Sequence, residues 1–169
     1  EEDRVAAEQA AAEAAQKAQA DAAIAAYGAI TEQSKAATAE IQKATEEIAA
    51  APADTIEALQ ARVEQLKQLQ ADQTAKHEEL QTTLKKANTD YKDVLGEDGV
   101  PAAKAARTNA TEAVGELKTA LGTLEESIQS LESKKAEAAA AQKAEEDRVA
   151  AEQAAAEAAQ KRKKSGWQR

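Results

Sequence analysis

The chain has 169 residues, of which 47 are alanine and only 25 are larger hydrophobic side chains; Phe, Met and Cys are absent. A globular domain of this length normally buries a thick core of mixed large side chains, which this composition does not supply. Alanine is the strongest helix former, and two Pro and six Gly are too few for a loop-rich or all-β chain. The composition therefore predicts long helices that meet along a narrow apolar seam. Without Cys, a disulfide framework, a thiol nucleophile and a CxxC zinc site are excluded.

The charge is uneven along the chain. The net charge is −9, from 22 basic and 31 acidic residues, and five of the basic residues fall in the last nine, KRKKSGWQR. An acidic body of this kind repels nucleic acid and anionic lipid, so we expect no nucleic-acid partner. The sequence also lacks any run of 18 consecutive apolar residues, and we expect no transmembrane segment.

A 17-residue sequence occurs twice. Residues 1–17, EEDRVAAEQAAAEAAQK, recur without a difference at residues 145–161, and the two copies diverge at Ala18 and Arg162. The two copies are offset by 144 residues. This offset indicates a tandem repeat of about 144 residues, with residues 1–144 as one unit and residues 145–164 as the start of a second. Residues 165–169 are then a linker. A local duplication or an engineered origin remains an alternative.

Proline and glycine divide the unit into helices. Pro52 predicts the end of a first helix over about 1–51. Asp54 and Glu57 have the spacing of a capping box, which predicts that a second helix begins there and runs to about residue 95.

The third helix begins after a glycine-containing turn. The GEDGVP sequence from Gly96 to Pro101 ends the second helix, and Pro101 suits the first turn of the next one. No further proline follows, so the third helix covers 101–144 and continues unbroken to about Lys164.

Each predicted helix carries hydrophobic residues at alternating steps of three and four, which is the pattern of a coiled coil. Three such stripes can close on one another, so the predicted fold is all-α: an elongated, up-down-up three-helix bundle with long helical overhangs at residues 1–10 and 142–164. The stripes are Tyr27, Ile30, Ala37, Ile41, Ala44 and Ile48; Ile56, Leu59, Val63, Leu66, Leu80, Leu84, Ala87, Tyr91 and Val94; and Val114, Leu117, Leu121, Leu124, Ile128 and Leu131.

The layout resembles that of spectrin repeats. Three heptad helices are joined by short turns, and the third helix runs without a break into the start of the next unit. The resemblance covers most of the chain and implies a tandem array in which neighbouring units are connected by a continuous helix.

A polar interruption in the second helix is the first candidate site. Gln70, Gln73 and His77 occupy three consecutive positions of its apolar stripe, Ser34 lies on the first stripe and Lys135 on the third. Because histidine titrates near neutral pH, these residues could form a polar pocket or a pH-sensitive layer. The alternative is a structural layer that sets the register of the helices.

Metal and catalytic sites are not expected. A single His needs carboxylates on facing helices to hold a metal, so we expect no metal and no cofactor. The acid pairs Glu46-Glu47, Glu78-Glu79 and Glu125-Glu126 diverge by about 100° around a helix and indicate solvated faces. His77 is the sole imidazole, and no nucleophile or phosphate-binding motif occurs. We therefore expect that the chain is not an enzyme.

The basic C-terminal tail is the second candidate site. Lys161, Arg162, Lys163 and Lys164, with Trp167 close by, could contact an anionic envelope polymer or lipid headgroups. A plain linker is the alternative, and Ser165-Gly166 are expected to end the helix.

The C-terminal residues also carry a family resemblance. Ala/Glu/Gln-rich helices that end in a basic stretch and GWQR resemble the coiled-coil region before the catalytic domain of LytM/lysostaphin-type peptidoglycan endopeptidases. The resemblance rests on residues 165–169 and implies a bacterial cell-envelope or extracellular location. The zinc ligands of that family do not occur in this sequence.

These observations predict a non-enzymatic helical spacer, stalk or scaffold module of a larger, bacterial, envelope-associated protein. Its expected partners are neighbouring repeat units or an adjoining domain. The alternatives are a regulatory coiled-coil segment of a cell-wall hydrolase whose catalytic domain follows Arg169, an oligomeric coiled coil such as a phage tail component, and a designed helical chain.

Overall fold

The computed structural model describes residues 1–49 and 51–167, without the side chains of Ala49 and Trp167. Helix α1 spans Glu2–Ala44, α2 spans Ile56–Asp90, the single turn α3 spans Lys92–Leu95 and α4 spans Pro101–Trp167. A π-helical turn, Thr45–Ala49, follows α1. The described part of the chain contains no strand, so the all-α prediction is confirmed.

The first helix loses its regular form earlier than predicted. The α-helical hydrogen bonding ends at Ala44 and passes into the wider π-helical turn, whereas the sequence predicted one helix to about residue 51. A π-helical turn is normally a local insertion in an α-helix, and here it precedes Pro52. Arg62 of α2 holds this connection, because its guanidinium donates to the carbonyl oxygens of Ala51 and, at 2.6 Å, of Pro52.

Helix α2 begins one residue later than the predicted capping box. The N-cap is Thr55, in an extended conformation with φ −124° and ψ 153°. Its Oγ1 accepts a hydrogen bond from the Ala58 amide at 3.0 Å and so satisfies one of the free amides of the first turn. The expectation that Asp54 and Glu57 supply this cap is therefore wrong, because the extended backbone of Thr55 places a hydroxyl where the amide needs it.

A compact turn joins α3 to α4. The Gly99 amide donates to the Gly96 carbonyl at 2.9 Å, and the Val100 amide donates to the Val94 carbonyl at 2.8 Å. A Cβ atom on residue 99 would lie 2.2 Å from the Val94 carbonyl oxygen. Only glycine fits this close approach, which explains why the turn contains it.

The core lies between three long helices. Helix α4 packs along both α1 and α2, and α2 runs antiparallel to the other two. Tyr27 is the largest fully buried side chain; its hydroxyl donates to Asn88 Oδ1 at 2.7 Å and its ring meets Tyr91 edge-on at 6.4 Å. The predicted up-down-up three-helix bundle is confirmed. The buried hydrophobic residues are Ala20, Ala23, Tyr27, Ile30, Ala37, Ile41, Leu59, Val63, Leu66, Leu80, Ala87, Val94, Leu95, Ala103, Ala110, Ala113, Val114, Leu117, Ala120, Leu124, Ile128 and Leu131.

Two helical overhangs leave opposite ends of the bundle. Residues 1–18 are exposed at the start of α1, and residues 139–166 are exposed at the end of α4. The predicted overhangs are confirmed and are longer than expected, because the alanines next to the bundle do not reach a partner helix. At 1.5 Å per residue, α4 alone measures about 100 Å and the whole molecule about 125 Å.

Candidate functional site

The structure places two of the three residues of the predicted polar layer in the core. Gln73 and His77 are buried, as is Ser34 of α1, which is fully enclosed. Gln70 is only half-buried and lies at the edge of the seam, where its amide donates to Glu125 of α4. The expectation that Gln70 belongs to the buried layer is therefore wrong, because its side chain turns toward an exposed carboxylate.

The buried polar atoms of this layer are incompletely paired. Gln73 Nε2 donates to Glu40 Oε2 of α1 at 2.9 Å. Among the described residues, Ser34 Oγ, Gln73 Oε1 and His77 Nε2 have no hydrogen-bond partner. An unsatisfied buried polar group costs on the order of 1–3 kcal/mol, so this layer weakens the middle of the bundle.

His77 lies in an environment that favours its neutral form. Burial lowers the pKa of His77 below its ordinary 6.5, the Lys118 ammonium of α4 lowers it further, and the Glu78 carboxylate opposes the shift. A cavity of about 230 Å³ lies beside the ring, between α2 and α4, with Lys85 and Asn88 in its lining. The arrangement makes His77 a group that resists protonation. The residues that line this cavity include no Asp or Glu, so no carboxylate of a facing helix lies in it beside His77.

A second and larger cavity was not foreseen from the sequence. It measures about 400 Å³ and lies between α1 and α4, close to the π-helical turn. Its floor is Ile41 and Ala120, and the carboxylates of Glu46 and Glu116 lie in its lining. Of the predicted acid pair, only Glu46 reaches this cavity, because Glu47 points elsewhere around the helix.

Four threonines and Gln42 contribute the other polar side chains of that cavity. Thr38, Thr45, Thr119 and Thr123 all line it, and each donates its hydroxyl hydrogen to the backbone carbonyl four residues earlier. Threonines spaced by seven in one helix and by four in another mark a shared face, and this spacing was available in the sequence. The residues that line the cavity include no imidazole and no cysteine.

The basic cluster of the tail lies on a free helix. Lys161, Arg162, Lys163 and Lys164 are all exposed, near the end of α4. Since successive residues are about 100° apart, these four charges surround the helix and do not form one face. The side chain of Trp167 lies outside the described residues. Helix α4 continues through Ser165 and Gly166 to Trp167, so the expected helix end at these two residues is wrong.

The two copies of the 17-residue sequence have the same local structure. In the first, Arg4 pairs with Glu1 and Glu8; in the second, Arg148 pairs with Glu145 and Glu152. These are spacings of three and four that stabilise an exposed helix. The exposed large hydrophobic residues of the described chain are Val5 and Val149, which are the same position of the repeat.

Metal and membrane features were also sought in the described part of the chain. Within residues 1–49 and 51–167, no group of three or more His, Cys, Asp or Glu side chains is placed to hold a metal ion. In the same ranges, no helix combines the length and the apolar character needed to cross a membrane.

By its fold, the chain belongs to the class of elongated all-α bundles with coiled-coil packing. It matches no protein-family model, no curated protein and no solved structure.

Proposed function

We propose that the chain is a non-enzymatic helical spacer, one unit of a tandem array in a larger protein of the bacterial cell envelope. In this proposal, the bundle of residues 19–138 is a rigid segment, and the helix that leaves it continues into the next unit. The resemblance of residues 165–169 to the region before the catalytic domain of LytM/lysostaphin-type endopeptidases supports the envelope location.

The observation that carries the proposal is the course of α4. This helix has 67 residues and contains no interruption, and every residue of the second copy of the repeated sequence is exposed. The same 17 residues lead into the bundle at the N-terminal side of α1. The end of α4 thus has the same sequence as the segment that leads into the bundle. A stiff connection between two units requires such a helix, which leaves one bundle and enters the next.

The spacer function requires the exposed part of α4 to be straight in solution. The chain has no Cys, so spin labels at Ser133→Cys and Ser165→Cys are site-specific. Thirty-two residues of α-helix span about 48 Å, and we expect one narrow distance distribution at that value by pulsed electron resonance. The variant Ala151→Pro should broaden it, and Ala151→Gln should leave it unchanged. A broad, shorter distribution in the unmodified helix would contradict the proposal.

An oligomeric coiled coil is a second candidate, and one observation favours it. Val5 and Val149 are 49% and 38% exposed, and each lies on one of the exposed overhangs, residues 1–18 of α1 and residues 139–166 of α4. Sedimentation equilibrium separates the two functions, because the spacer stays monomeric, at 17.8 kDa, at high concentration. A concentration-dependent rise in mass that Val149→Gln abolishes would favour the oligomer.

A further inference from the structure

The cavity beside His77 has a local charge opposite to that of the whole chain. The net charge of the chain is −9. The residues that line this cavity, however, include two lysines and neither Asp nor Glu. Lys85 of α2 and Lys118 of α4 are both exposed, and neither ammonium group forms an ion pair within residues 1–49 and 51–167. An anion that enters this cavity therefore meets positive charge from two helices.

The spacing of the lining residues places them on two facing helix surfaces. Residues at steps of three and four share one face of a helix. The residues at these steps are His77, Gln81, Lys85 and Asn88 of α2 and Thr111, Gly115 and Lys118 of α4. The Lys118 ammonium acts on the pKa of His77, so the two faces meet at the level of these two side chains. Nothing lies within 4 Å of a Cβ atom placed on Gly115, which leaves this side of the cavity open.

His77 contributes a buried polar group that lacks a partner. The residue is only 8% exposed, and its Nε2 atom has no hydrogen-bond partner among the described residues. Buried polar side-chain atoms in native proteins nearly always have a partner, so an unpaired one next to a cavity points to a ligand in that cavity. An oxygen of a bound anion would accept the N–H of the imidazole.

Asn88 also presents a hydrogen-bond donor. Its Oδ1 atom accepts the hydroxyl hydrogen of Tyr27 at 2.7 Å, so the amide group Nδ2 remains as the donor of this side chain. The hydroxyl hydrogen of Thr111 is already donated to the Arg107 carbonyl oxygen at 2.9 Å. Two ammonium groups, an amide and an imidazole N–H therefore surround a space of about 230 Å³.

From this set of donors we propose that the cavity between α2 and α4 binds a phosphate group, as the free ion or as a phosphate monoester. A phosphate group has a charge close to −2 and several strong acceptor oxygens, which suit donors that come from two helices. Lysine binds such a group as a point charge. Leu84 and Val114 also line the cavity and offer apolar contact to the organic part of a monoester. This site goes beyond the proposed spacer function and does not depend on it.

The single histidine makes the site observable in the full chain. His77 is the only histidine, so its imidazole carbon-bound protons are identified in a proton–carbon correlation NMR spectrum without ambiguity. A bound phosphate favours the protonated ring and should raise the pKa of His77, against the effect of Lys118 and in the same direction as that of Glu78. Inorganic phosphate is the probe, and sodium chloride keeps the ionic strength constant. We expect a saturable shift of the His77 signals and a higher pKa of His77 than in chloride alone.

Two double variants separate the cavity from the total charge. Lys85→Gln/Lys118→Gln removes both ammonium groups and should weaken phosphate binding about tenfold, since each exposed charge contributes up to about fivefold. Lys143→Gln/Lys161→Gln is the matched control, because it makes the same change of charge on the exposed overhang of α4. Its affinity for phosphate should equal that of the unmodified protein. Circular dichroism checks that both variants remain helical.

Methyl phosphate distinguishes the two sources of the phosphate group. Tighter binding of methyl phosphate than of inorganic phosphate would assign the cavity to a monoester, whereas weaker binding would assign it to the free ion. The absence of a saturable shift up to about 100 mM of either probe would overturn the proposal, because such weak binding is not that of a specific site. Equal weakening in the two double variants would overturn it as well, since phosphate would then respond to the total charge or to the basic tail.

Discussion

At the scale of single residues, the incompletely paired polar side chains inside the bundle reduce its stability, and we propose that they also define its register. Ser34, Gln73 and His77 are each at least nine-tenths buried, and only Gln73 Nε2 has a partner, Glu40. An apolar residue at any of these positions would pack without this cost. A polar layer limits sliding of the helices, because each alternative register would bury it against larger apolar side chains.

His77 makes the stability of the bundle depend on pH. Its pKa is lowered in the native state by burial and by Lys118, whereas the unfolded chain has the ordinary value of 6.5. As the pH falls through 6.5, the unfolded state takes up a proton before the native state does, and the free energy of unfolding decreases. We expect denaturant unfolding to give a lower stability at pH 5.5 than at pH 7.5.

The variant His77→Gln provides the control, because His77 is the only histidine of the chain. Its stability should change far less between these two pH values, because the variant contains no imidazole. Equal stability of the unmodified protein at both pH values would contradict the role assigned to His77.

At the scale of single helices, helix propensity, capping residues and turns determine where each helix forms. The ends of α2 and α4 differ from what the sequence predicted. Thr55 caps α2, although the spacing of Asp54 and Glu57 is that of a capping box. Helix α4 passes through Gly166, although glycine lowers helix stability by about 1 kcal/mol, because the four preceding cations interact favourably with the C-terminal end of the helix dipole.

The turn that joins α3 to α4 requires glycine at position 99. We expect Gly99→Ala to lower the free energy of unfolding by about 2 kcal/mol, because its Cβ would be forced against the Val94 carbonyl oxygen. Gly96→Ala is the matched control, since nothing lies within 4 Å of the atom it would add. Thermal unfolding followed by circular dichroism compares the two variants, and equal effects would show that the close approach at residue 99 is unimportant.

For the whole molecule, the structure separates a packed segment from free helix. The larger hydrophobic residues concentrate in the bundle, whereas residues 1–18 and 139–166 are exposed and depend on helix propensity and on ion pairs such as those of Arg4 and Arg148. The acidic body and the basic end of α4 therefore lie on different parts of an elongated particle.

This separation predicts the outcome of shortening the chain. Deletion of residues 139–169 should change the free energy of unfolding of the bundle by no more than about 0.5 kcal/mol, because the removed residues up to 166 are all exposed. Deletion of residues 129–169 also removes the buried Leu131 and should cost about 2 kcal/mol or more. Denaturant titration measures both. A large loss for the shorter deletion would mean that the overhang packs against the bundle.

The sequence alone predicted three long helices, their order and the apolar stripe of each one, because alanine content, proline and glycine positions and heptad spacing act locally. It did not predict the π-helical turn at Thr45–Ala49 or the separate turn α3 at Lys92–Leu95. It also predicted that Gln73, His77 and Ser34 lie on the seam. Gln70 has the same spacing, yet its side chain bends to Glu125 at the edge, which depends on the neighbouring helix.

Only the tertiary structure decided which side chains from different helices meet. The cavity lined by Glu46, Glu116 and four threonines exists because α1 and α4 lie side by side in one register. Burial between the helices, and then Lys118 of α4, lower the pKa of His77, and the need for Gly99 depends on the Val94 carbonyl. The sparse apolar content predicted a thin seam, but the ends of the packing at Ala20 and Ala138 required the helices to be placed together. The burial of a side chain depends on the residues that surround it in space, and the spacing of residues along one helix does not specify which residues of the other helices these are.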